Sequence, residues 1–71
     1  MSPDPITIIA NGEERQIRVP CSVADFLKNC GWRPTQVVVE HNGNVLPRTK
    51  VETVPLQNGD RLEIIQPVAG G

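Results

Sequence analysis

Two of the three Asn-Gly dipeptides, each placed directly after an apolar run, constrain the fold of this 71-residue chain more than any other feature. Asn-Gly favours a tight turn between antiparallel strands, because both residues accept a positive φ. One dipeptide, at 11–12, follows the β-branched run of residues 6–10, and the other, at 42–43, follows the apolar run of residues 37–41. The sequence therefore predicts two β-hairpins. The returning strands are residues 15–19, with Ile17 and Val19 on the buried face, and residues 44–46.

A short amphipathic helix is predicted between the two hairpins. Ser22 and Asp25 have the spacing of a capping box: the Ser22 side chain can accept from the Asp25 N–H, and the Asp25 carboxylate lies in the positive first turn. Gly31 supplies the left-handed residue that ends a helix, so the helix runs to about residue 30. One apolar stripe, which must lie across the sheet, is formed by Val23, Phe26, Leu27 and Cys30.

The last strand completes the order of elements. Residues 48–56 sustain no period, and the turn signal at 58–60 leads into a strand predicted over residues 61–66. A hairpin, a helix, a second hairpin and a closing strand predict an α+β fold of the β-grasp, or ubiquitin-like, class. We expect a mixed sheet of four to five strands around one main helix, with the last strand placed centrally beside the first. We expect residues 1–71 to form a single domain, with a loose lead-in at 1–5 and a mobile tail at 67–71.

Composition and charge exclude several function classes. A net charge of -1, with acids and bases scattered, does not indicate a nucleic-acid stripe or a membrane patch. No apolar run has the length of a membrane span and no signal-peptide pattern is present, so we expect a cytoplasmic protein. His41 is the sole histidine and is interpreted as a surface polar residue, so no metal site is predicted.

The two cysteines are predicted to be free thiols. Cys21 and Cys30 flank the predicted helix, which separates them by roughly 13 Å, too far for a disulfide. A position near a helix N-terminus can lower the pKa of a thiol such as Cys21, although a packing role is favoured for this residue.

The residues after the last strand are the candidate reactive segment. Pro67 ends the strand, and Gly70 and Gly71 follow without side chains. Such a thin segment can enter a channel too narrow for a side chain, and a terminal carboxylate, ionised at neutral pH, can attack an activated phosphate. Gly71 is therefore a candidate substrate carried on a folded domain. The alternative is an inert, frayed chain end.

Three segments carry a family resemblance. The Asn-Gly-x-Val-Leu-Pro-Arg sequence of residues 42–48, the Gly-Asp-Arg-Leu-Glu-Ile-Ile sequence of residues 59–65 and the Val-Ala-Gly-Gly sequence of residues 68–71 occur in this order. Their order and spacing resemble those of the sulfur-carrier proteins of thiamine biosynthesis. The resemblance covers nearly the whole chain and leaves out only residues 1–5.

The resemblance implies a protein co-substrate rather than an enzyme. In that family an adenylating enzyme related to ubiquitin-activating enzymes (E1-like, ThiF-type) uses ATP and magnesium to convert the terminal carboxylate to an acyl-adenylate. A persulfide sulfur from a cysteine desulfurase pathway displaces AMP, and the resulting thiocarboxylate is used by thiazole synthase (ThiG-type). For this chain, the resemblance implies that the modified residue is Gly71 and that the narrow tail giving access to it comprises Val68, Ala69 and Gly70.

Alternatives remain at this point. The ending also resembles that of the small subunit of molybdopterin synthase, a sister sulfur carrier, although the Pro-Arg pair at 47–48 fits the thiamine family. A ubiquitin-like modifier conjugated through Gly71 and a plain interaction module are further alternatives. Ile65, Arg48 and Arg61 are candidate docking residues for the adenylating partner. Against this, residues 48–56 could cover Ile65, and the two arginines could be solvated surface charges.

Overall fold

The computed structural model describes residues 5–67, which form a five-stranded mixed sheet packed against one α-helix. The elements are β1 Ile6–Ala10, β2 Glu13–Ile17, α1 Val23–Asn29, β3 Val38–His41, β4 Asn44–Leu46 and β5 Arg61–Ile65, with 3-10 helices at Pro34–Gln36 and Arg48–Lys50. The strand order is β2-β1-β5-β3-β4. β5 pairs parallel with β1 and antiparallel with β3. The predicted β-grasp fold, with the last strand central beside the first, is confirmed.

The Asn-Gly dipeptides at 11–12 and 42–43 both form two-residue hairpin turns. The φ angles are 51° at Asn11 and 81° at Gly12, and the second turn repeats them with 53° at Asn42 and 88° at Gly43. Positive φ at both central residues matches the right-handed twist of the flanking strands. The turns thus fix the register of both hairpins.

The predicted bounds of β2 were wrong by two residues. A two-residue turn pairs Ala10 directly with Glu13, so the strand begins there and ends at Ile17. Ile17 is only half-buried, and Val19 lies beyond the strand, also half-buried. The alternation of polar and apolar residues over 15–19 identified the side chains that contact the core, but it did not show where pairing with β1 begins.

Helix α1 begins and ends as predicted. The Ser22 Oγ accepts from the Asp25 N–H at 3.0 Å, and the Ser22 N–H donates to the Asp25 carboxylate at 3.3 Å. At the other end, Gly31 has a φ of 87°, and the Trp32 N–H donates to the Leu27 carbonyl at 2.8 Å. These contacts satisfy backbone groups that a helix leaves free at its termini.

The predicted apolar stripe of α1 was wrong at one position. Val23, Phe26 and Leu27 are buried, but Cys30 is exposed and Ala24 is buried instead. Residues 51–56 cover the start of the helix, where the Ala24 N–H donates to a backbone carbonyl of that segment. Cys30 follows the last helical residue and lines an open groove between α1 and β2.

The segment between β4 and β5 belongs to the core. Val51 and Leu56 are buried, and the Val23 N–H donates to the Val54 carbonyl at 3.0 Å. This segment therefore packs on the helix side of the sheet, and the alternative that it covers Ile65 was wrong. The buried apolar residues of the core are Ile6, Ile8, Ala10, Cys21, Val23, Ala24, Phe26, Leu27, Val37, Val39, Val51, Leu56 and Leu62.

Two kinds of feature are absent from the part of the chain that the structure describes. Within residues 5–67 no helix has the length and apolar character needed to cross a bilayer. The same residues contain no group of three or more histidine, cysteine or acidic side chains arranged to hold a metal ion. Cys21 and Cys30 are both free thiols, as predicted from their separation along the helix.

Candidate functional site

The site is built on the end of β5, the central strand of the sheet. Leu62 is fully buried and Ile64 packs partly against the core, so Arg61, Glu63 and Ile65 lie on the opposite, outer face. Strand neighbours on both sides hold β5 in place. Its end therefore provides a fixed base for the residues that follow, of which Gln66 and Pro67 are exposed and are the last that the structure describes.

An apolar pair lies on the outer face beside this end. Ile65 is 45% exposed, and its cross-strand partner on β3, Val38, is 37% exposed. Because the two side chains are cross-strand neighbours, they form one continuous apolar surface, which is a candidate contact site for another molecule. We refer to Val38 and Ile65 as the apolar pair.

The two candidate docking arginines lie at opposite ends of β5. Arg48 follows β4 just after Leu46, which pairs with Val39, so it lies at the same end of the sheet as Ile65. Arg61 is the first residue of β5, roughly 13 Å along the strand from Ile65. Both side chains are exposed. The fold thus brings Ile65 and Arg48, but not Arg61, to one end of the sheet.

The predicted reactive residues lie outside the described part of the chain. Val68, Ala69, Gly70 and Gly71 follow the described residues 5–67. Their predicted roles as the modified residue and its narrow tail therefore stay predictions.

A side chain that sequence reasoning missed holds the end of β5. The Asn11 Oδ1 accepts from the Ile64 N–H at 2.7 Å, and the Asn11 Nδ2 donates to the Ile64 carbonyl at 3.3 Å. Asn42 acts similarly at the start of the strand, where its Oδ1 accepts from the Arg61 N–H at 2.8 Å. The sequence marked both asparagines as turn residues. Their contacts with β5 bridge 53 and 19 positions, so no local pattern signalled them.

A buried carboxylate near the other end of the sheet was also missed. Asp60 is 8% exposed, and its oxygens accept from the Gln57 N–H at 2.9 Å and from the Asn42 Nδ2 at 3.1 Å. The His41 Nε2 lies 3.0 Å from the same carboxylate. The interpretation of His41 as a surface polar residue was therefore incomplete, because the fold places an acidic partner beside it.

The hydrogen bonds determine the charge state of this carboxylate. Burial by itself raises the pKa of Asp60, but the hydrogen bonds from His41, Gln57 and Asn42 outweigh it and hold the pKa below its ordinary value. The ionised side chain therefore joins the turn before β5 to the β3-β4 hairpin. We therefore assign Asp60 a structural role, which is to fix the start of β5.

The suggestion that the helix start lowers the pKa of Cys21 was wrong. Burial raises the pKa of this thiol, and the nearby Asp25 and Cys30 raise it further. A protonated, buried thiol is a poor nucleophile. Cys21 is therefore a packing residue, as favoured from the sequence.

Comparison with known proteins identifies the family. The family model described as ThiS family matches residues 7–71, which is most of the chain. The chain belongs to the ThiS family. Members of this family are small sulfur carriers of thiamine biosynthesis rather than catalysts. The family match thus favours the thiamine over the molybdopterin alternative.

Solved structures of ThiS proteins share the fold. A crystal structure of the thiamine biosynthesis protein ThiS from Geobacter metallireducens is similar with a TM-score of 0.78 and 25% identity, covering 93% of this chain and 100% of that one. A solution structure of a thiamine biosynthesis protein from the same organism is similar with a TM-score of 0.76 and 25% identity, covering 93% of this ThiS-family chain and 88% of the other.

Two curated relatives match most of this chain but differ greatly from each other in length. The chain is 35% identical over 66 residues to the uncharacterized protein ycf40 of Pyropia yezoensis, covering 93% of each. It is 33% identical over 64 residues to a thiazole synthase of Paramagnetospirillum magneticum, covering 90% of this chain. The ThiS-family chain spans only 20% of the length of that thiazole synthase.

Proposed function

We propose that the chain carries sulfur for thiazole formation in thiamine biosynthesis as a thiocarboxylate on Gly71. The observation that carries the proposal is the ThiS-family match, which extends through residue 71 and so includes both glycines. The fold supports it, because β5 is the central strand of the sheet and ends at Ile65, six residues before Gly71. The reacting group itself needs no local base, since partner enzymes supply the catalytic groups.

The proposed chemistry proceeds through an activated acyl group. A Gly71 carboxylate oxygen attacks the α-phosphate of ATP, and pyrophosphate leaves, which yields an acyl-adenylate. The terminal sulfur of a persulfide then attacks the acyl carbon, and AMP leaves. A thiol cleaves the resulting acyl disulfide, so that the products are the thiocarboxylate and a disulfide on the donor. We expect ATP and Mg²⁺ to be bound by the ThiF-type adenylating enzyme.

The proposed consumer of the sulfur is a ThiG-type thiazole synthase. A segment similar to this chain makes up a fifth of a protein named thiazole synthase. A carrier joined to the enzyme that uses its sulfur would raise the effective concentration of the thiocarboxylate. This relative therefore supports thiazole synthase as a partner of the separate chain.

We propose that the adenylating enzyme docks on the apolar pair while the tail enters its active site. Ile65 lies six residues before Gly71, and Arg48 adds positive charge at the same end of the sheet. Val68, Ala69, Gly70 and Gly71 then reach a narrow channel, in which the two glycines leave room for the bound nucleotide.

An adenylation assay tests the proposal. With a ThiF-type enzyme, ATP and Mg²⁺, the chain should support isotope exchange between pyrophosphate and ATP. Deleting Gly71 should abolish the exchange, and Gly70→Val should strongly reduce it because the side chain obstructs the channel. Gly43→Asn is the matched control, since asparagine tolerates the positive φ of that remote turn. Unchanged exchange after deletion of Gly71 would refute the assigned site, and isopeptide conjugates with other proteins would favour a ubiquitin-like modifier.

A further inference from the structure

The end of β5 depends on a side chain where its neighbouring strand stops. β1 pairs with β5 as far as Ala10 and Leu62, and the Asn11 N–H donates to the Leu62 carbonyl at 2.9 Å. The chain then turns at Gly12 into β2, so β1 does not reach Ile64. The Asn11 amide takes over, accepting from the Ile64 N–H at 2.7 Å and donating to its carbonyl at 3.3 Å.

From this geometry we infer that Asn11 is a positioning residue for the reaction at Gly71. By bonding both backbone groups of Ile64, its side chain fixes the point at which the chain leaves the sheet. It also fixes the neighbouring Ile65 side chain on the outer face. The inference rests on the proposed function, because it concerns the delivery of Gly71 to the adenylating enzyme.

The physical reason is the cost of ordering a strand end. β3 pairs with one edge of β5 through Val38 and Ile65, while Asn11 bonds the other edge. Without the amide, that edge loses two hydrogen bonds, and strand ends with few partners open locally. An open end displaces Ile65 and must be ordered again when the partner binds. Only molecules with an ordered strand end can bind, so the apparent Kd for the carrier is the intrinsic Kd divided by the ordered fraction. The rate of the chemical step does not change.

Asn42 provides a matched control at the opposite end of β5. It has the same place in the second Asn-Gly turn, with a φ of 53° against 51° for Asn11. Its Oδ1 accepts from the Arg61 N–H, and its own N–H donates to the Arg61 carbonyl, both at 2.8 Å. Removal of this side chain disturbs β5 at the end remote from Gly71 and also removes the Nδ2 donor to Asp60, so it costs stability without touching Ile64.

The experiment compares three variants with the wild-type chain. Asn11→Gly and Asn42→Gly remove the side chain where glycine preserves the turn. Asn11→Asp keeps an acceptor for the Ile64 N–H but loses the donor. Each protein is titrated with a ThiF-type adenylating enzyme in the pyrophosphate–ATP exchange assay. Amide hydrogen exchange at Ile64 is measured by NMR in the same proteins without the enzyme.

Asn11→Gly should raise the KM for the carrier about three- to tenfold, with kcat within about twofold of wild type. Asn11→Asp should give an intermediate KM. Asn42→Gly should keep the wild-type KM even where its unfolding midpoint is lower. Exchange of the Ile64 amide should be faster in Asn11→Gly and unchanged in Asn42→Gly.

Other outcomes separate the two claims. A wild-type KM in Asn11→Gly would overturn the positioning role. An equal rise of KM in Asn11→Gly and Asn42→Gly would also overturn it, because it would indicate only a general loss of stability. Absence of pyrophosphate exchange with the wild-type chain would count against the proposed function. In that case amide hydrogen exchange still tests the role of Asn11. An unchanged exchange rate of the Ile64 amide in Asn11→Gly would show that the Asn11 side chain does not order the strand end.

Discussion

At the residue scale, we expect Asp60 to stabilise the fold more than any other polar side chain described. Asp60→Asn removes the charge and leaves at least one of the two donors, the Gln57 N–H or the Asn42 Nδ2, without a suitable acceptor. We expect the free energy of unfolding at neutral pH to fall by about 1–3 kcal/mol, measured by urea denaturation. Glu52→Gln, at an exposed carboxylate, is the control and should change stability by less than about 0.5 kcal/mol.

The same variant tests the pH dependence. Because the pKa of Asp60 is lower in the folded than in the unfolded chain, the unfolded state binds more protons in the acidic range. The stabilisation is present above the unfolded pKa and is lost as pH falls through the folded pKa. The difference in unfolding free energy between wild type and Asp60→Asn should therefore shrink at acidic pH. A difference that stays constant with pH would contradict the assigned cause.

At the element scale, the predictable features were those determined by neighbouring residues. The Asn-Gly turns, the Ser22 cap and the Gly31 helix end follow from local backbone chemistry, and all were found. The contacts of Asn11 with Ile64 and of His41 with Asp60 depend on the tertiary fold, so local patterns did not indicate them. The exposure of Cys30 had the same origin, because spacing on a helix cannot tell how far a covering segment extends.

The capping box makes a prediction at this scale. Ser22→Ala removes the acceptor for the Asp25 N–H and should lower the free energy of unfolding by about 1 kcal/mol. Thr35→Ala removes an exposed hydroxyl from a 3-10 helix that has no side-chain cap, and should have little effect. Equal urea midpoints for the two variants would show that the cap does not stabilise this seven-residue helix.

At the scale of the whole molecule, the sheet separates a core-facing side from a surface available to partners. Ile65→Ser should raise the KM for the carrier in the exchange assay by about fivefold or more, because a central apolar contact is lost. Its free energy of unfolding should fall by no more than about 1 kcal/mol, since Ile65 is 45% exposed. Val45→Ser is the control: Val45 is 64% exposed on edge strand β4 and lies two strands from β5. An equal effect of both substitutions would contradict docking at the apolar pair.

The most direct test of the account is the mass of the C-terminal peptide. The chain is incubated with a ThiF-type enzyme, ATP, Mg²⁺, a persulfide donor and a thiol, and then digested and analysed by mass spectrometry. The account predicts that the peptide ending at Gly71 gains the mass difference between one sulfur and one oxygen, and that the chain lacking Gly71 gains nothing. The same gain without Gly71, or sulfur found instead on the peptide that contains the exposed Cys30, would contradict it.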